Sequence, residues 1–508
     1  MHPLARLDHR YVWHPFTQMR DWLAGEPIVI VEGEGALLRD VGGREYLDAN
    51  SSIWTNLHGH NHPEINAAIQ TQLRKIAHSS ALGLANEPAS RLAEKLVEIA
   101  NRELRIANVP DRRGRGFHSK FKARNSKLSK VFFSDDGSTA LEVALKLAYE
   151  FTRRTRGKKS KPQFLSLEGA YHGDTIGGVA LGHIDLFHRS FAGLLFKTKK
   201  VMSPYCYRCP FNRAKPERAD AREYRKCNWE CVGKVEQKFS AQAKRRNPFA
   251  AFVFEPAVQG AAGMIPQPAG WLSRVSEIAR DYGALLIADE VMTGFGRSGS
   301  QKSEVRSQKL ESLFACQREN VQPDFLCVAK GLTGGYLPMA ATLTMRRIFD
   351  AFLGDYEEFK TFFHGHSYTG NQLGAAASLA SLDVLQSANS IEARRKLETI
   401  LREELESLWQ LPQIGDLRQV GLIAGIELVK NWRTREAFDL RERAGIRVCE
   451  AMARRGVLTR PVGNVIVLMP PYCTTRPQLQ KMVSALREAV AEILPSRVRS
   501  PARRPATG

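Results

Sequence analysis

Hydrophobic positions along the chain fall into two patterns. Short apolar runs recur at residues 131–133, 164–165, 250–254, 284–288 and 325–329, and helix-length segments separate the last three. That alternation predicts βαβ units around a mainly parallel sheet. The run at 131–133 ends in Ser134-Asp135-Asp136-Gly137-Ser138. Leu141, Ala144, Leu145, Ala148 and Phe151 follow at the i, i+3, i+4, i+7 spacing of a helix. Ahead of this region, 28–32 and 36–39 alternate as short strands split by Gly33 and Gly35, and 63–77 has helical spacing. From about Ile391 the pattern predicts a smaller α+β unit, strand-like at 421–428 and 465–469. No internal repeat is visible.

The chain has 508 residues, 43% hydrophobic and 25% charged, a balance that excludes disordered and fibrous classes. No apolar run nears the ~18 residues that span a bilayer. The first sixteen residues have no apolar segment of the kind a secretory signal needs, so a cytoplasmic protein is expected. Lysine and arginine outnumber acids by 74 to 53, for a net charge of +21. The surplus sits in runs: Arg112, Arg113, Arg115, Lys120, Lys122, Arg124, Lys127 and Lys130, then 153–161, then 497–504. Such runs can hold phosphates. No nucleic-acid fold signature accompanies them, so solvated loops are expected and a nucleic-acid partner is not.

Four of eight cysteines, Cys206, Cys209, Cys227 and Cys231, form C-x2-C-x17-C-x3-C, a spacing similar to zinc sites. A charge-rich insertion would gain from such a staple. No metal is expected, and the quartet is the one candidate.

Three apolar runs end in a polar residue: Phe254 into Glu255, Ala288 into Asp289, Ala329 into Lys330. Open α/β sheets bind ligands at the carboxyl ends of their strands. Lys330 lies between an apolar strand and the glycine-rich turn Gly331-Leu332-Thr333-Gly334-Gly335. A partly desolvated lysine deprotonates more readily and attacks carbonyls, which suits an aldehyde cofactor. A buried Asp289 would keep the ring nitrogen of pyridoxal 5′-phosphate (PLP) protonated. Gly137 and Ser138, at a strand-to-helix turn, suit a phosphate, and Ser138 suits an N-cap equally.

These residues occur in a set. Asp135-Asp136-Gly137-Ser138, Tyr171-His172-Gly173-Asp174-Thr175, Phe254-Glu255-Pro256, Ile287-Ala288-Asp289-Glu290-Val291, 293–299, 329–335 and Gly370-Asn371 follow in order. The set resembles the class III, fold-type I, PLP-dependent aminotransferases across residues 11–485. Trp13-His14-Pro15-Phe16-Thr17-Gln18-Met19, Ser51-Ser52-Ile53-Trp54 with 58–63, and 456–472 resemble the biotin-pathway branch, which aminates 8-amino-7-oxononanoate.

The resemblance implies an α/β fold: a large domain with a mainly parallel seven-stranded-type sheet and helices on both faces, plus a smaller α+β domain. It implies these boundaries: an N-terminal segment 1–53 packing with the small domain, a large domain 54–385, a small domain 386–490 and a disordered basic tail 491–508. Inserts are expected at 109–130 (basic), 203–245 (cysteine-containing) and 300–318. Lys330 would hold PLP and move the proton between Cα and C4′. Asp289 would pair with the ring nitrogen, Tyr171 would stack on the ring, and Gly137 and Ser138 would bind phosphate, with Glu255 in support. Ser367 would reach the partner subunit's phosphate, implying a homodimer with shared sites. Arg460 would pair with the acceptor's carboxylate, and Phe16, Ile53, Trp54, Tyr171, Asp174, Arg297 and Gly365 would surround the substrates.

Three positions depart from adenosylmethionine-using members. Phe16 and Val467 stand where they have tyrosines, and Ile53 where they have a tryptophan. The missing hydroxyls and ring favour lysine over S-adenosylmethionine as donor. Two other readings compete: an ornithine- or 4-aminobutyrate-type ω-aminotransferase, and a nucleic-acid-binding protein on an inactive fold. Arg460 and the Trp-His-Pro opening oppose the first. Intact Lys330, Asp289, Gly137 and Ser138 oppose the second.

Overall fold

The computed structural model describes residues 1–102, 127–157, 160–182, 184–299, 303–305, 308–310 and 312–495. Its centre is a seven-stranded sheet. In chain order the strands are β1 (Leu128–Ser134), β2 (Phe164–Leu167), β3 (Lys199–Val201), β4 (Ala251–Phe254), β5 (Leu285–Asp289), β6 (Phe325–Val328) and β7 (Ala340–Met345). Their spatial order is β1-β7-β6-β5-β4-β2-β3. Only β7 runs against the rest, pairing antiparallel with both β6 and β1.

The apolar runs are continuous because helices cover both faces, while alternate residues still face opposite ways. Leu285 and Ile287 share one buried cluster with Val253, Phe325 and α1 (Gly137–Arg156). Leu286 and Ala288 share the other with Phe252, Leu326, α2 (Glu230–Lys244) and α3 (Trp271–Asp281). Asp136 caps α1 through a capping box with Thr139, and Arg153, Arg154 and Arg156 complement the dipole of its last turn.

A second sheet joins Ile414–Val420, Ile423–Asn431, Val465–Leu468 and Pro461–Val462. A third joins Ile30–Glu34, Leu37–Asp40 and Glu45–Asp48 to Val457–Leu458, Leu47 lying opposite Val457 in parallel. Chain from both ends thus meets in one sheet. Among the described residues no helix is long and apolar enough to cross a membrane.

The strand expected at 421–428 is present as Ile423–Asn431, and Gly421 turns into it from Ile414–Val420: it has φ +60°, and a Cβ there would sit 2.1 Å from the Gly299 nitrogen. The insert expected at 203–245 contains α2, whose Val235 and Phe239 belong to the main core. The insert at 300–318 holds a two-stranded antiparallel ladder, Ser303–Val305 with Gln308–Leu310. The tail expected from 491 begins as the last turn of the helix Arg476–Ile493. Most of the basic insert and the tail from 496 lie outside the described residues.

Among the described residues no group of three or more His, Cys, Asp or Glu is placed to hold a metal. Burial, and after it the neighbouring thiols, push the Cys206 thiol up to about 12 and the Cys231 thiol up to about 11. Cys227 Sγ accepts from the Arg225 guanidinium at 3.1 Å. Polar ties hold the segment instead: Arg208 and Tyr205 on Glu427, and Arg222 on the carbonyl of Gln419 at 2.8 Å.

Candidate active site

Adjacent parallel strands bring three expected residues to one rim. Phe254 lies opposite Ala288, and Asp289 opposite Cys327, so Glu255, Asp289 and Lys330 emerge side by side. Lys330 opens the 3-10 turn Lys330–Thr333 with φ +45°, a conformation unfavourable for a side chain that bears a Cβ. Its Nζ stands 5.1 Å from the centre of the Trp54 ring. Among the described residues it makes no hydrogen bond or ion pair. Burial holds its pKa below the usual lysine range, and the charges of Asp289 and Glu255 oppose that only in part.

Asp289 is anchored at both oxygens. Val291 N–H donates to Oδ1 at 3.0 Å, and His172 Nδ1 lies 2.8 Å from Oδ2. Burial pushes His172 down, but its hydrogen bond to Asp289 and the charges of Asp289 and Glu255 outweigh it, so its pKa is raised. Glu255 accepts N–H bonds from Gly260 at 2.9 Å and Tyr171 at 3.3 Å. Burial and the Asp289 charge still push it up to about 7.

The phosphate end is built at the start of α1. Asp136 is the N-cap, which corrects the capping role considered for Ser138. Gly137 and Ser138 are the first two helical residues, whose N–H groups have no partner within a helix. Ser138 Oγ lies 2.7 Å from Thr175 Oγ1 and accepts Thr175 N–H at 3.0 Å. Gly173 closes over it with φ +98°, and a Cβ there would stand 2.3 Å from Ser138 Oγ.

Tyr171 projects from the same loop. Its hydroxyl donates to Asp174 at 2.6 Å, and its ring is stacked with His188 at 6.3 Å. Phe16 meets it edge-on at 6.5 Å and packs on Phe187 at 5.1 Å. Trp54 stands on an apolar cluster with Met292 and Val467. Ser51, Ser52, Ile53 and Trp54 all have positive φ, a left-handed turn that leaves Ile53 exposed beside Trp54.

Other expected residues stand differently. Arg297 is buried and spends its guanidinium on the carbonyls of Pro470 (2.7 Å) and Asn56 (2.9 Å), so its expected place against substrate is corrected to a clamp. Arg460 is exposed, between Val457–Leu458 and Pro461–Val462, with no hydrogen bond or ion pair among the described residues. Gly365 and Ser367 are exposed on a segment tied to the phosphate loop by His366 Nδ1 on Asp135 at 3.0 Å. Sequence reasoning missed His172, Phe187 and His188 as site residues. His172 stood within a recognised motif, but no spacing rule links it to Asp289.

A buried amine facing an aromatic ring, a carboxylate fixed at both oxygens and a helix N-terminus share one sheet edge. Residues 22–490 match the family model Aminotransferase class-III. The chain is 44% identical over 483 residues to adenosylmethionine-8-amino-7-oxononanoate aminotransferase of Geobacter sulfurreducens, covering 95% of this chain and 96% of that one. The solved enzyme of that name from Methanocaldococcus jannaschii superposes with a TM-score of 0.81 at 37% identity, covering 96% of this chain and 99% of that one. A PLP-bound amine transaminase from an uncultivated Pseudomonas species gives 0.81 at 32%, covering 95% and 98%. The chain belongs to the class-III aminotransferases and is a PLP-dependent transaminase.

The residues fit that cofactor. Lys330 is an amine free to bind covalently, Asp289 is held in one orientation, and the Gly137–Ser138 turn offers N–H donors to a phosphate. When bound, PLP supplies an aldehyde that captures amino groups and a ring that takes up electrons.

Proposed function

We propose that this transaminase aminates the 7-oxo carbon of 8-amino-7-oxononanoate, giving 7,8-diaminononanoate. The observation that carries this is similarity along 95% of the chain to a relative named for that acceptor. In this reading Lys330 would hold PLP, and its amine would carry the proton between Cα and C4′. Burial that lowers its pKa favours the neutral amine this needs. Asp289 would face the ring nitrogen, Gly137 and Ser138 would hold the phosphate, and Tyr171, steadied by Asp174, would pack on the ring. Glu255 fixes the Tyr171 loop through its backbone. Trp54, Phe16 and Ile53 exclude water around the acceptor, and Arg460 receives its carboxylate. Two copies form a homodimer in which Gly365 and Ser367 complete the partner's site, consistent with their exposure in one chain.

For the donor, the relative's name points to S-adenosylmethionine. The chain's own side chains favour lysine. Phe16 packs edge-on against Phe187, and Val467 is fully buried in an apolar cluster, so neither offers a hydroxyl to a nucleoside. Each lost hydrogen bond is worth about 0.5–1.5 kcal/mol net, so two shift preference by roughly five- to 150-fold.

The experiment supplies purified enzyme with 8-amino-7-oxononanoate and either donor. Diaminononanoate formed with either one supports the acceptor. A kcat/KM ratio favouring adenosylmethionine tenfold removes the lysine reading. Turnover of 4-aminobutyrate or ornithine without diaminononanoate overturns the proposal.

A further inference from the structure

Ser51, Ser52, Ile53 and Trp54 form one turn of left-handed helix, with φ +47°, +49°, +62° and +69°. Its backbone bonds are helical: Trp54 N–H donates to the Asn50 carbonyl and Thr55 N–H to the Ser51 carbonyl, each at 2.9 Å. Residues with a Cβ enter this region singly, because the Cβ crowds the following carbonyl. A run of them persists only where the surroundings over-determine it. The turn brings the centre of the Trp54 ring to 5.1 Å from the Lys330 amine and leaves Ile53 exposed. A chain of polar groups grips it. Asp48 is buried at the end of the strand Glu45–Asp48. Its Oδ1 accepts Ser52 N–H at 3.0 Å, and its Oδ2 accepts the Ser52 hydroxyl at 2.9 Å. His60 Nε2 lies 3.0 Å from the same Oδ2. The next link sets the tautomer. Gly59 N–H donates to Asn56 Oδ1 at 2.9 Å, so the Asn56 amide turns its Nδ2 toward His60 Nδ1, at 2.9 Å. Nδ1 therefore accepts, and the proton sits on Nε2 and is donated to Asp48. Both ends of the chain are fixed. The His60 backbone exchanges two bonds with Gly35, at 2.7 and 3.0 Å, and Arg297 donates to the Asn56 carbonyl at 2.9 Å.

We infer that Asp48 and His60 are positioning residues for the transamination reaction: together they hold the left-handed turn that presents Trp54 and Ile53 to the amino acceptor. The inference rests on the reading above that these two side chains surround the acceptor. The pair acts through Ser52, whose backbone and hydroxyl donors both end on Asp48. His60 aims that carboxylate. Without the Nε2 donor the carboxylate is free to turn, and the grip on Ser52 loosens. The strained turn then relaxes toward the right-handed or extended regions, which swings the Trp54 ring away from Lys330. A preformed surface binds better than one that must be ordered on binding. The loss therefore falls on acceptor binding, as a raised KM, more than on the chemical step.

The test uses full-length, PLP-loaded enzyme carrying 5-fluorotryptophan, with the Trp54 fluorine resonance assigned by its loss in Trp54→Ala. Wild type is compared with His60→Ala, His60→Gln and Asp48→Asn. Glutamine carries an amide N–H to the place of Nε2. Asparagine at 48 keeps the volume and sets an N–H where Ser52 and His60 need an acceptor. His60→Ala and Asp48→Asn should move the resonance and raise the KM for 8-amino-7-oxononanoate at least tenfold, with kcat kept within threefold. His60→Gln should return the resonance to its wild-type position and the KM to within threefold. If Trp54→Ala leaves the acceptor KM unchanged, these side chains do not surround the acceptor, and the inference falls with that reading. If Trp54→Ala raises the KM but Asp48→Asn leaves the resonance or the KM unmoved, the pair only packs and the inference alone fails. A loss confined to kcat overturns it as well. Should His60→Ala not fold, Asp48→Asn decides by the same two readings.

Discussion

Arg297→Met separates a clamp from a substrate contact. The guanidinium is buried, donates to the carbonyls of Pro470 and Asn56, and lies 4.9 Å from the Tyr472 ring centre. Methionine keeps most of the stem and removes both donors. Two carbonyls are left unpaired, at about 1–3 kcal/mol each. Part of this is offset, because no carboxylate pairs with Arg297 among the described residues and a buried cation is costly to desolvate. A net loss of about 2–4 kcal/mol follows from these opposing effects. At about 2.1 cal/mol/K per residue, a chain of 508 residues loses about 1 °C in Tm per kcal/mol. The expected fall is therefore about 2–4 °C. Calorimetry of the PLP-loaded variant measures it, beside steady-state KM for the acceptor well below the transition. An unchanged Tm with an acceptor KM raised tenfold would refute the clamp and return Arg297 to the substrate.

Lys330→Ala should cut turnover by at least about 10²–10⁴-fold, the usual share of a positioned acid–base group, in single-turnover assays with PLP supplied. Gly173→Ala should drive a methyl into Ser138 at a φ of +98° and raise the PLP dissociation constant tenfold or more; an unchanged constant would detach Ser138 from the phosphate. Glu255 is pushed by burial from an ordinary 4.5 up to about 7, so the folded state binds its proton more tightly than the unfolded state. That contribution is full below about 4.5 and is lost as pH rises toward about 7. Glu255→Gln should therefore flatten the decline of stability between pH 5 and 7, and an unchanged slope would contradict the burial argument. Removing residues 497–508 should leave turnover within twofold, as solvated charge predicts.

The central sheet was legible because each strand is buried on both faces and reads as an unbroken apolar run, as in Ala251-Phe252-Val253-Phe254. The chemistry was legible because Glu255, Asp289 and Lys330 immediately follow such runs. What escaped depends on tertiary contact. The reversed direction of β7 leaves no trace in an apolar run, since burial takes the same form whichever way a strand points. The strand Ile414–Val420 was not among the expected strands; it pairs with Ile423–Asn431 across the turn at Gly421. Arg297 looks like a ligand-binding arginine until carbonyls 173 and 241 residues away in sequence claim it. The left-handed turn at 51–54 defies propensity, since no glycine marks it. The polar ties of Tyr205, Arg208 and Arg222 that hold the cysteine-containing segment likewise join residues far apart in sequence.

The most direct test of the account is to locate the covalent attachment. Reducing the yellow enzyme with borohydride fixes PLP on whichever lysine holds it, and peptide mass spectrometry then reads the position. The account predicts the pyridoxyl group on the peptide containing Lys330, with the signal lost in Lys330→Ala. A pyridoxyl group on another lysine, or none on a yellow enzyme that turns over, would contradict it.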